Sequence, residues 1–478
     1  MKPITFLLFL LSLCSAEKEP KHLCSRGKSV ERWISNSSTL SPDQSKIDIS
    51  FYDISIDINF ESNTINGSVG VNGFIDNNLP EYIELDFYNN MEVNSILQNN
   101  GQVSFLHEQN KIKIPMNNII IQDDNYFSIL IKYQGTPQDC GAGGFKFDEH
   151  LGVDHVWTLS EAYCARSWWP SKDDPSDKAD SVYVRVTVPA NPNFIVASNG
   201  LLDSITNDGD KNTFFWKEKY PITTYLVSLA IYPYTIWSEQ YISSISNDTM
   251  AIEHYVFPDR YESSFSNYSL TGEMISFFSG LFGEYPFISE KYGHADFKWG
   301  GGMEHQTLSS MGSSSQNLIV HELGHSWWGN LITCKTFNDI WLNEGFARYC
   351  QALWVEHING KEAYFSFMND YAYYGDGTIY VENPSSNSQI FNSNLSYNKA
   401  SWVLHMLRRK VGDDTFFEIL KSYASNDTLA YNAASTADFQ KISEDISDQN
   451  LELFFQQWIY EEGYPKYEML SLIHISEP

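Results

Sequence analysis

The chain carries few basic residues for its length. Among its 478 residues, 31 lysines and arginines stand against 60 aspartates and glutamates, which gives a formal net charge of −29 at pH 7. Nucleic acid and anionic membrane surfaces repel a protein of this charge, so neither is expected as a partner. The same balance favours solubility.

Long apolar runs are also missing after the first residues. The run from Ile4 to Leu13 is too short to span a bilayer, which takes about 20 apolar residues, and the small residues Ser15 and Ala16 follow it. This pattern predicts a cleaved signal peptide over residues 1–16 and an exported protein, secreted or periplasmic. No later segment reaches the ~18 consecutive apolar residues of a spanning helix, so no membrane anchor is visible.

Cysteine is scarce, and the six cysteines do not have the spacing of metal ligands. Removal of the signal would take Cys14 away and leave an odd number, so a free thiol or a missing partner is expected. The cysteines that lie nearest in sequence give the predicted disulfides, Cys140 with Cys164 and Cys334 with Cys350.

The period of the apolar residues changes along the chain. From about residue 45 to 240 apolar and polar residues alternate, as at Ile54, Ile56 and Ile58, which predicts half-buried β-strands. From about residue 250 the period lengthens to that of helices. Because 478 residues are too many for one core, at least two domains are expected.

A zinc-hydrolase motif stands in the helical part. Residues 321–325 read H-E-L-G-H, and Glu344 follows in W-L-N-E-G. On a helix, His321 and His325 fall about 40° apart on one face, so both imidazoles can reach one ion. Glu322 points to the side, where a carboxylate can take a proton from the attacking water. Three protein ligands leave a fourth position open, which is typical of a catalytic rather than a structural zinc site.

A chance match of so short a motif is disfavoured by its flanks. Leu318, Ile319, Val320, Leu323 and Trp327 make the helix apolar on most sides, which predicts burial. Buried histidines and a buried glutamate need partners, and a metal ion supplies them.

Capping residues predict three helices around the motif. They run from Ser313–Ser315 to Gly329–Asn330, from Asn338–Asp339 to Asn359–Gly360, and from Tyr397 to Gly412. On the second of these, Arg348 lies four residues after Glu344. Arg348 is therefore either a surface partner of Glu344 or a group that orients its carboxylate.

Four further segments accompany the motif and carry a family resemblance. They read G-G-M-E-H at 301–305, Y-N-K-A at 397–400, S-E-A-Y-C-A-R at 160–166 and W-P-S-K-D-D-P at 169–175. Together with H-E-L-G-H they resemble the gluzincin zinc aminopeptidases, the family of aminopeptidase N and of the leukotriene-epoxide hydrolase. The likeness runs from about residue 45 to 469. His305 stands where the family usually has Asn, Ala400 where it has Gly, and Ser171 where it has Cys.

The resemblance implies an α+β multidomain fold. Its parts would be an N-terminal extension (17–44), an antiparallel β-sheet domain (45–245) and a thermolysin-like, mainly helical zinc catalytic domain (246–469). Residues 470–478 resemble a translated sequencing adapter and are expected to be a non-native tail. In that case the natural protein continues beyond Met469, and this chain is truncated after the catalytic domain.

The resemblance also implies a zinc aminopeptidase that acts on peptides with a free N-terminus and holds one Zn²⁺ per chain. Its residue roles are the following: His321, His325 and Glu344 bind the metal; Glu322 is the general base and Tyr397 the hydrogen-bond donor to the oxyanion; and Glu161, Gly301, Gly302, Met303, Glu304 and His305 bind the substrate.

Two alternatives stay open, a peptide-binding protein that has lost catalysis and a hydrolase of a non-peptide bond such as an epoxide. The complete metal set disfavours the first. Tyr397 and the acids Glu161 and Glu304 favour peptides over the second. The first-residue preference, the physiological substrate and the oligomeric state have no readable pattern.

Overall fold

A computed structural model describes residues 40–140 and 143–464. The predicted signal peptide, the first part of the extension and the tail 470–478 lie outside the described residues, as does Cys24.

The amino-terminal part consists of strands, as the alternation of apolar residues predicts. The strands are β1 (Ile47–Asn59), β2 (Thr64–Ile75), β3 (Tyr82–Asp86), β4 (Glu92–Gln98), β5 (Gly101–Val103), β6 (Leu106–Glu108), β7 (Lys111–Pro115), β8 (Tyr126–Gly135), β9 (Asp139–Cys140), β10 (Gly143–His150), β11 (Val153–Leu159), β12 (Ser181–Pro189), β13 (Ile195–Ser198), β14 (Leu201–Asn207), β15 (Lys211–Glu218) and β16 (Leu229–Tyr232).

These strands form three sheets. The largest has eight strands in the order β14-β15-β12-β1-β2-β8-β4-β5, the second has the order β13-β16-β11-β10-β9, and the third has the order β3-β7-β6. In these three sheets neighbouring strands run antiparallel, as predicted, except that β1 and β12 are parallel in the register Ile54↔Val184. A parallel pair needs a long crossover, and the intervening strands provide it.

The carboxyl-terminal part combines a five-stranded sheet with helices. Its strands are β17 (Thr235–Ile242), β18 (Thr249–Val256), β19 (Lys291–Asp296), β20 (Gly302–Met303) and β21 (Ser309–Met311), and a parallel pair consists of β22 (Ile332–Cys334) and β23 (Asn432–Ala434). The sheet order β17-β18-β19-β21-β20 puts β20 at an edge. The predicted α+β class, a β-rich domain followed by a mainly helical one, is confirmed.

The helices surround this sheet. They are α1 (Tyr261–Tyr268), α2 (Thr271–Phe282), α3 (Gln316–Gly324), α4 (Trp341–Asp370), α5 (Asn387–Ile390), α6 (Ala400–Val411), α7 (Asp413–Ala424), α8 (Thr436–Ser447) and α9 (Glu452–Phe455). Among the described residues, none of these helices has both the length and the apolarity to cross a bilayer.

Near the motif, the predicted start of the first helix is confirmed and the predicted end of the second coincides with a break, whereas the predicted end of the first helix is wrong. Ser315 caps α3, since its side chain accepts a hydrogen bond from the Leu318 N–H. The helix α4 breaks at Gly360, where φ is 81°. However, α3 ends at Gly324 rather than near Asn330, because the chain turns tightly there and Asn330 N–H donates to the carbonyl of His325.

The described cysteines form one of the two predicted disulfides. Cys140 and Cys164 are bonded, whereas Cys334 and Cys350 are free and buried, so the second prediction is wrong. The two thiols belong to separate apolar cores: Cys334 to the core that includes the β-domain, and Cys350 to the helical core. Cys350 packs against Gly324 of α3 instead.

Candidate metal centre

Two histidines of the α3 segment approach each other one helical turn apart. His321 and His325 are fully buried, and their Nε2 atoms are 3.3 Å apart. Nδ1 of His325 lies 2.9 Å from the carbonyl oxygen of Trp328. Because a carbonyl can only accept, this Nδ1 carries a proton, which leaves Nε2 as the nitrogen that can bind an ion. That tautomer is the one a metal ligand requires.

The carboxylate of Glu344 completes the group. It lies in the first turn of α4, with Oε2 at 3.3 Å from Nε2 of His321 and 3.4 Å from Nε2 of His325. The three ligand atoms lie within 4.8 Å of one another. Both oxygens of Glu344 are buried without a hydrogen-bond partner in the described part of the chain, which is costly unless a cation is bound. Two imidazoles and a carboxylate are a zinc donor set, so these residues fit the ion.

The electrostatics of the group also suit a cation. Burial alone would lower the pKa of His325, but the carboxylates of Glu304 and Glu344 raise it to about 9. Burial would raise the pKa of Glu344, but the rings of His325 and His321 lower it to about 2. The negative field that holds a proton on His325 is the field that would hold a divalent metal ion.

Glu322 of α3 faces the edge strand β20. A methyl group on Gly302 would overlap the carboxyl group of Glu322, so only glycine allows this approach. The carboxylate of Glu322 lies in one group with the carboxylate of Glu304 and the imidazole of His325, whose ligand atoms are within 4.8 Å of one another. Glu322 is therefore beside the metal ligands and outside the set of three.

Two predicted amine-binding acids meet at the same place. Glu161, which follows β11, and Glu304, which follows β20, lie with Glu344 in a group whose carboxylate oxygens are within 4.8 Å of one another. All three are fully buried. The disulfide from Cys164 to Cys140 braces the segment that carries Glu161. Three acidic side chains are thus gathered beside the histidines.

Tyr397 stacks beside the metal ligands. Its ring centroid is 6.1 Å from that of His321, with 20° between the ring planes. It lies in a π-helical turn, Ser393–Lys399, that leads into α6. Arg348 is buried on α4; its Nη1 donates to Oε1 of Gln351, and its guanidinium lies 4.5 Å from the centroid of the Tyr371 ring.

The remaining predicted residues lie around β20. Gly301, Gly302 and Met303 are buried, and Gly302 and Met303 pair with Met311 and Ser310 of β21. His305 Nδ1 is 2.8 Å from the hydroxyl oxygen of Ser310. Burial lowers the pKa of His305 to about 3, so the ring is neutral.

Several residues that hold this site were missed from the sequence. Asn330 Nδ2 donates to the carbonyl of Glu304, and Asn199 Nδ2 donates to the carbonyl of Gln306. Tyr225 is buried near the acids and its hydroxyl accepts from Asn343 Nδ2. The Asn199 contact joins residues 107 apart, and no local pattern signals it.

Comparison with known proteins now identifies the family. Residues 49–226 match the Peptidase M1 N-terminal domain and residues 303–458 match the Peptidase family M1 domain. The chain belongs to peptidase family M1. The expected gluzincin resemblance is thus confirmed across both domains.

This M1 family chain has many relatives among known proteins. It is 24% identical over 418 residues to "Probable aminopeptidase 2" of Sulfurisphaera tokodaii, which covers 80% of this chain and 51% of that protein. It is 27% identical over 376 residues to the glutamyl aminopeptidase of Rattus norvegicus (72% and 38%) and 26% identical over 393 residues to human aminopeptidase N (72% and 39%). The chain thus spans about half or less of the length of these relatives.

Solved structures share the fold. The M1 zinc metallopeptidase of Deinococcus radiodurans superposes with a TM-score of 0.76 at 23% identity, over 88% of this chain and 95% of that one. A mutant of that protein bound to a Tyr-Ser-Ala substrate gives 0.75 at 23% identity, over 87% and 94%.

Proposed function

We propose that this chain is a zinc-dependent aminopeptidase that removes the first residue of peptides with a free N-terminus. It binds one Zn²⁺ through His321, His325 and Glu344. The observation that carries this proposal is the position of Glu161 and Glu304 directly beside that ligand set. The relatives named as aminopeptidases support the same reading.

The metal ligands make the site hydrolytic. When bound, zinc supplies a Lewis acid that polarises the scissile carbonyl and makes water a nucleophile near neutral pH. Glu322 lies beside the ligands and accepts the proton of the attacking water. The same carboxylic acid then returns that proton to the leaving amine. Tyr397, stacked on the His321 side, donates a hydrogen bond to the oxyanion.

The two amine-binding acids set which bond is cut. Carboxylates of Glu161 and Glu304 form charge-assisted hydrogen bonds with the α-ammonium of the substrate. This fixes the first residue, so the bond after it lies over the metal. The edge strand β20 offers its backbone to the substrate as an added strand. The neutral ring of His305 adds no positive charge that would repel the ammonium.

An exported location accompanies this function. The signal-like residues 1–16 support it. The disulfide between Cys140 and Cys164 supports it independently, because such bonds persist in oxidising compartments.

A matched substrate panel tests the function. Aminoacyl fluorogenic substrates, each free and N-acetylated, are assayed with purified protein before and after a chelator, and again after zinc is restored. Free substrates should be cleaved orders of magnitude faster than acetylated ones, because acetylation removes the charge that pairs the acids. Equal cleavage of both forms would indicate an endopeptidase, and activity that survives metal removal would overturn the zinc assignment.

A further inference from the structure

The segment that follows β20 turns back to β21 through a strained residue. Residues 304–308, here named the amine loop, begin with Glu304. Thr307 in this loop has φ +64°, a left-handed conformation that is unfavourable for a β-branched side chain. A residue in this conformation persists only when its surroundings hold it there.

The β-domain provides those surroundings. The N–H of Gly200 donates to Oγ1 of Thr307 at 2.8 Å, and that hydroxyl has two acceptors within reach, the carbonyl of Gln306 at 2.6 Å and Oε2 of Glu218 at 3.3 Å. Asn199 Nδ2 donates to the carbonyl of Gln306 at 2.7 Å. These β-domain groups are all in the turn between β13 and β14 or at the end of β15.

The side-chain amide of Asn199 also makes hydrogen bonds within the β-domain. Nδ2 also donates to the carbonyl of Leu226 at 2.9 Å, and Oδ1 accepts from the N–H of Ser228 at 2.7 Å. Asn199 therefore ties the amine loop to a segment of the β-domain that is itself fixed by hydrogen bonds.

Glu218 belongs to a buried pair of carboxyl groups with Glu290. Oε1 of Glu218 accepts from the N–H of Tyr220 at 3.1 Å, and Oε1 of Glu290 accepts from the N–H of Lys219 at 2.8 Å. Oε2 of Glu290 is buried with no donor among the described residues. Burial and the neighbouring Glu290 raise the pKa of Glu218 well above its usual value.

Lys291 follows Glu290 directly in the sequence and is also buried. Its Nζ donates to the carbonyl of Ser198 at 2.9 Å and to that of Gly200, so it fixes the turn that contacts Thr307. The β-domain side of the contact is thus itself held by hydrogen bonds.

We propose that Asn199, Glu218 and Thr307 are positioning residues that set the place of Glu304, so that the β-domain determines how the substrate ammonium is bound. This inference rests on the proposed aminopeptidase function. Glu304 is two residues from Gln306 and three from Thr307, so a shift of the loop moves its carboxylate relative to the metal ligands. Misplacement by about 1 Å is enough to cost about 10² in rate.

The test compares variants that remove or keep the hydroxyl at position 307. Thr307→Val keeps the side-chain shape and loses the hydrogen bonds, whereas Thr307→Ser keeps the hydroxyl. Two readouts are used: kcat and KM on free and acetylated substrates, and the affinity for free L-tryptophan against N-acetyl-L-tryptophan, measured by calorimetry. Zinc content and circular dichroism check that each variant is folded and loaded.

We expect Thr307→Val to raise KM for free substrates and to lose at least about tenfold of the free-over-acetylated preference in both readouts. Thr307→Ser should retain that preference. Glu218→Gln, which keeps a neutral hydrogen-bonding group, should retain it too, while Glu218→Leu should lose it. Asn199→Leu removes the hydrogen bond to the carbonyl of Gln306 and should lose the preference independently of residue 307.

Failure of this inference and failure of the proposed function would give different results. An active wild type whose loss variants melt earlier but keep an unchanged amine preference would show that the contact only joins the domains, and the inference would be wrong. A wild-type protein that neither hydrolyses the substrates nor prefers the free amine would overturn the proposed function and this inference with it.

Discussion

Gly302 of β20 lies directly against the carboxyl group of Glu322 of α3. A Cβ added to Gly302 would come closer to the Oε1, Cδ and Cγ atoms of Glu322 than real carbon atoms approach their neighbours. The absence of a side chain at residue 302 thus determines where the proposed general base stands. The glycine-rich stretch before the amine-binding acid therefore has a second role besides giving a substrate access to the strand edge.

We predict that Gly302→Ala lowers kcat by about 10² or more, because it displaces the carboxylate that takes the proton. The metal ligands are untouched, so zinc content should be unchanged. Gly300→Ala is the matched control, since a Cβ there would meet nothing within 4 Å. Steady-state kinetics and metal analysis of both variants check the prediction, and a fully active Gly302→Ala enzyme would contradict it.

Glu322→Gln separates the proposed base from the ligands. The substitution keeps the size of the side chain but removes its ability to accept a proton, so turnover should fall to near background while one zinc per chain remains bound. Glu344→Gln should instead lose the metal. Metal analysis after dialysis, alongside activity, distinguishes the two; full activity in Glu322→Gln would show that another group is the base.

The disulfide offers a test of how Glu161, the proposed amine-binding acid, is braced. A bond across a sequence separation of 24 restricts the unfolded chain by about 3 kcal/mol, so the double variant Cys140→Ser/Cys164→Ser should lose stability of that order in urea unfolding. Reductant should destabilise the wild type and leave the double variant unchanged. If reductant does not affect the wild type, the bond contributes nothing.

The sequence alone predicted those parts of the site that depend on helical spacing and on neighbouring apolar residues. Helical spacing places His321 and His325 together, and the apolar flanks of α3 predict their burial. Long-range contacts do not follow from such rules. The separation of Cys334 and Cys350 into different cores depends on how the domains pack, which sequence distance does not reveal.

Other misses have similar causes. The early end of α3 at Gly324 reflects the tight turn that presents the carbonyl of Trp328 to His325, a tertiary need that overrides the helical pattern. The contact between Asn199 and Gln306 crosses 107 residues and two domains. Residues such as Asn199 belong to no sequence motif, although they hold the loop that begins with Glu304 of the G-G-M-E-H segment.

A buried carboxyl group that is not among the proposed metal ligands gives a prediction for the pH dependence of stability. Asp296 of β19 is buried and accepts hydrogen bonds from the N–H of Phe257 at 3.0 Å and the hydroxyl of Tyr268 at 3.3 Å. Burial raises its pKa from 3.8 to about 7. Between these values the folded protein binds more protons than the unfolded one, so the contribution of Asp296 to stability falls as the pH rises through this window.

Asp296→Asn removes that titration and should therefore gain stability relative to the wild type as the pH rises from about 4 to 8. The gain is at most about 4 kcal/mol, at about 1.4 kcal/mol for each unit of pKa shift. Urea unfolding of both proteins with chelator present, at pH 4.5 and pH 8, measures it. Asp259→Asn is the control that should show no change between these pH values, because the hydrogen bond from His150 lowers the pKa of Asp259 from 3.8 and its contribution is lost only below this range. A difference between Asp296→Asn and wild type that stays constant from pH 4.5 to pH 8 would show that Asp296 is already ionised in the folded protein at the lower pH.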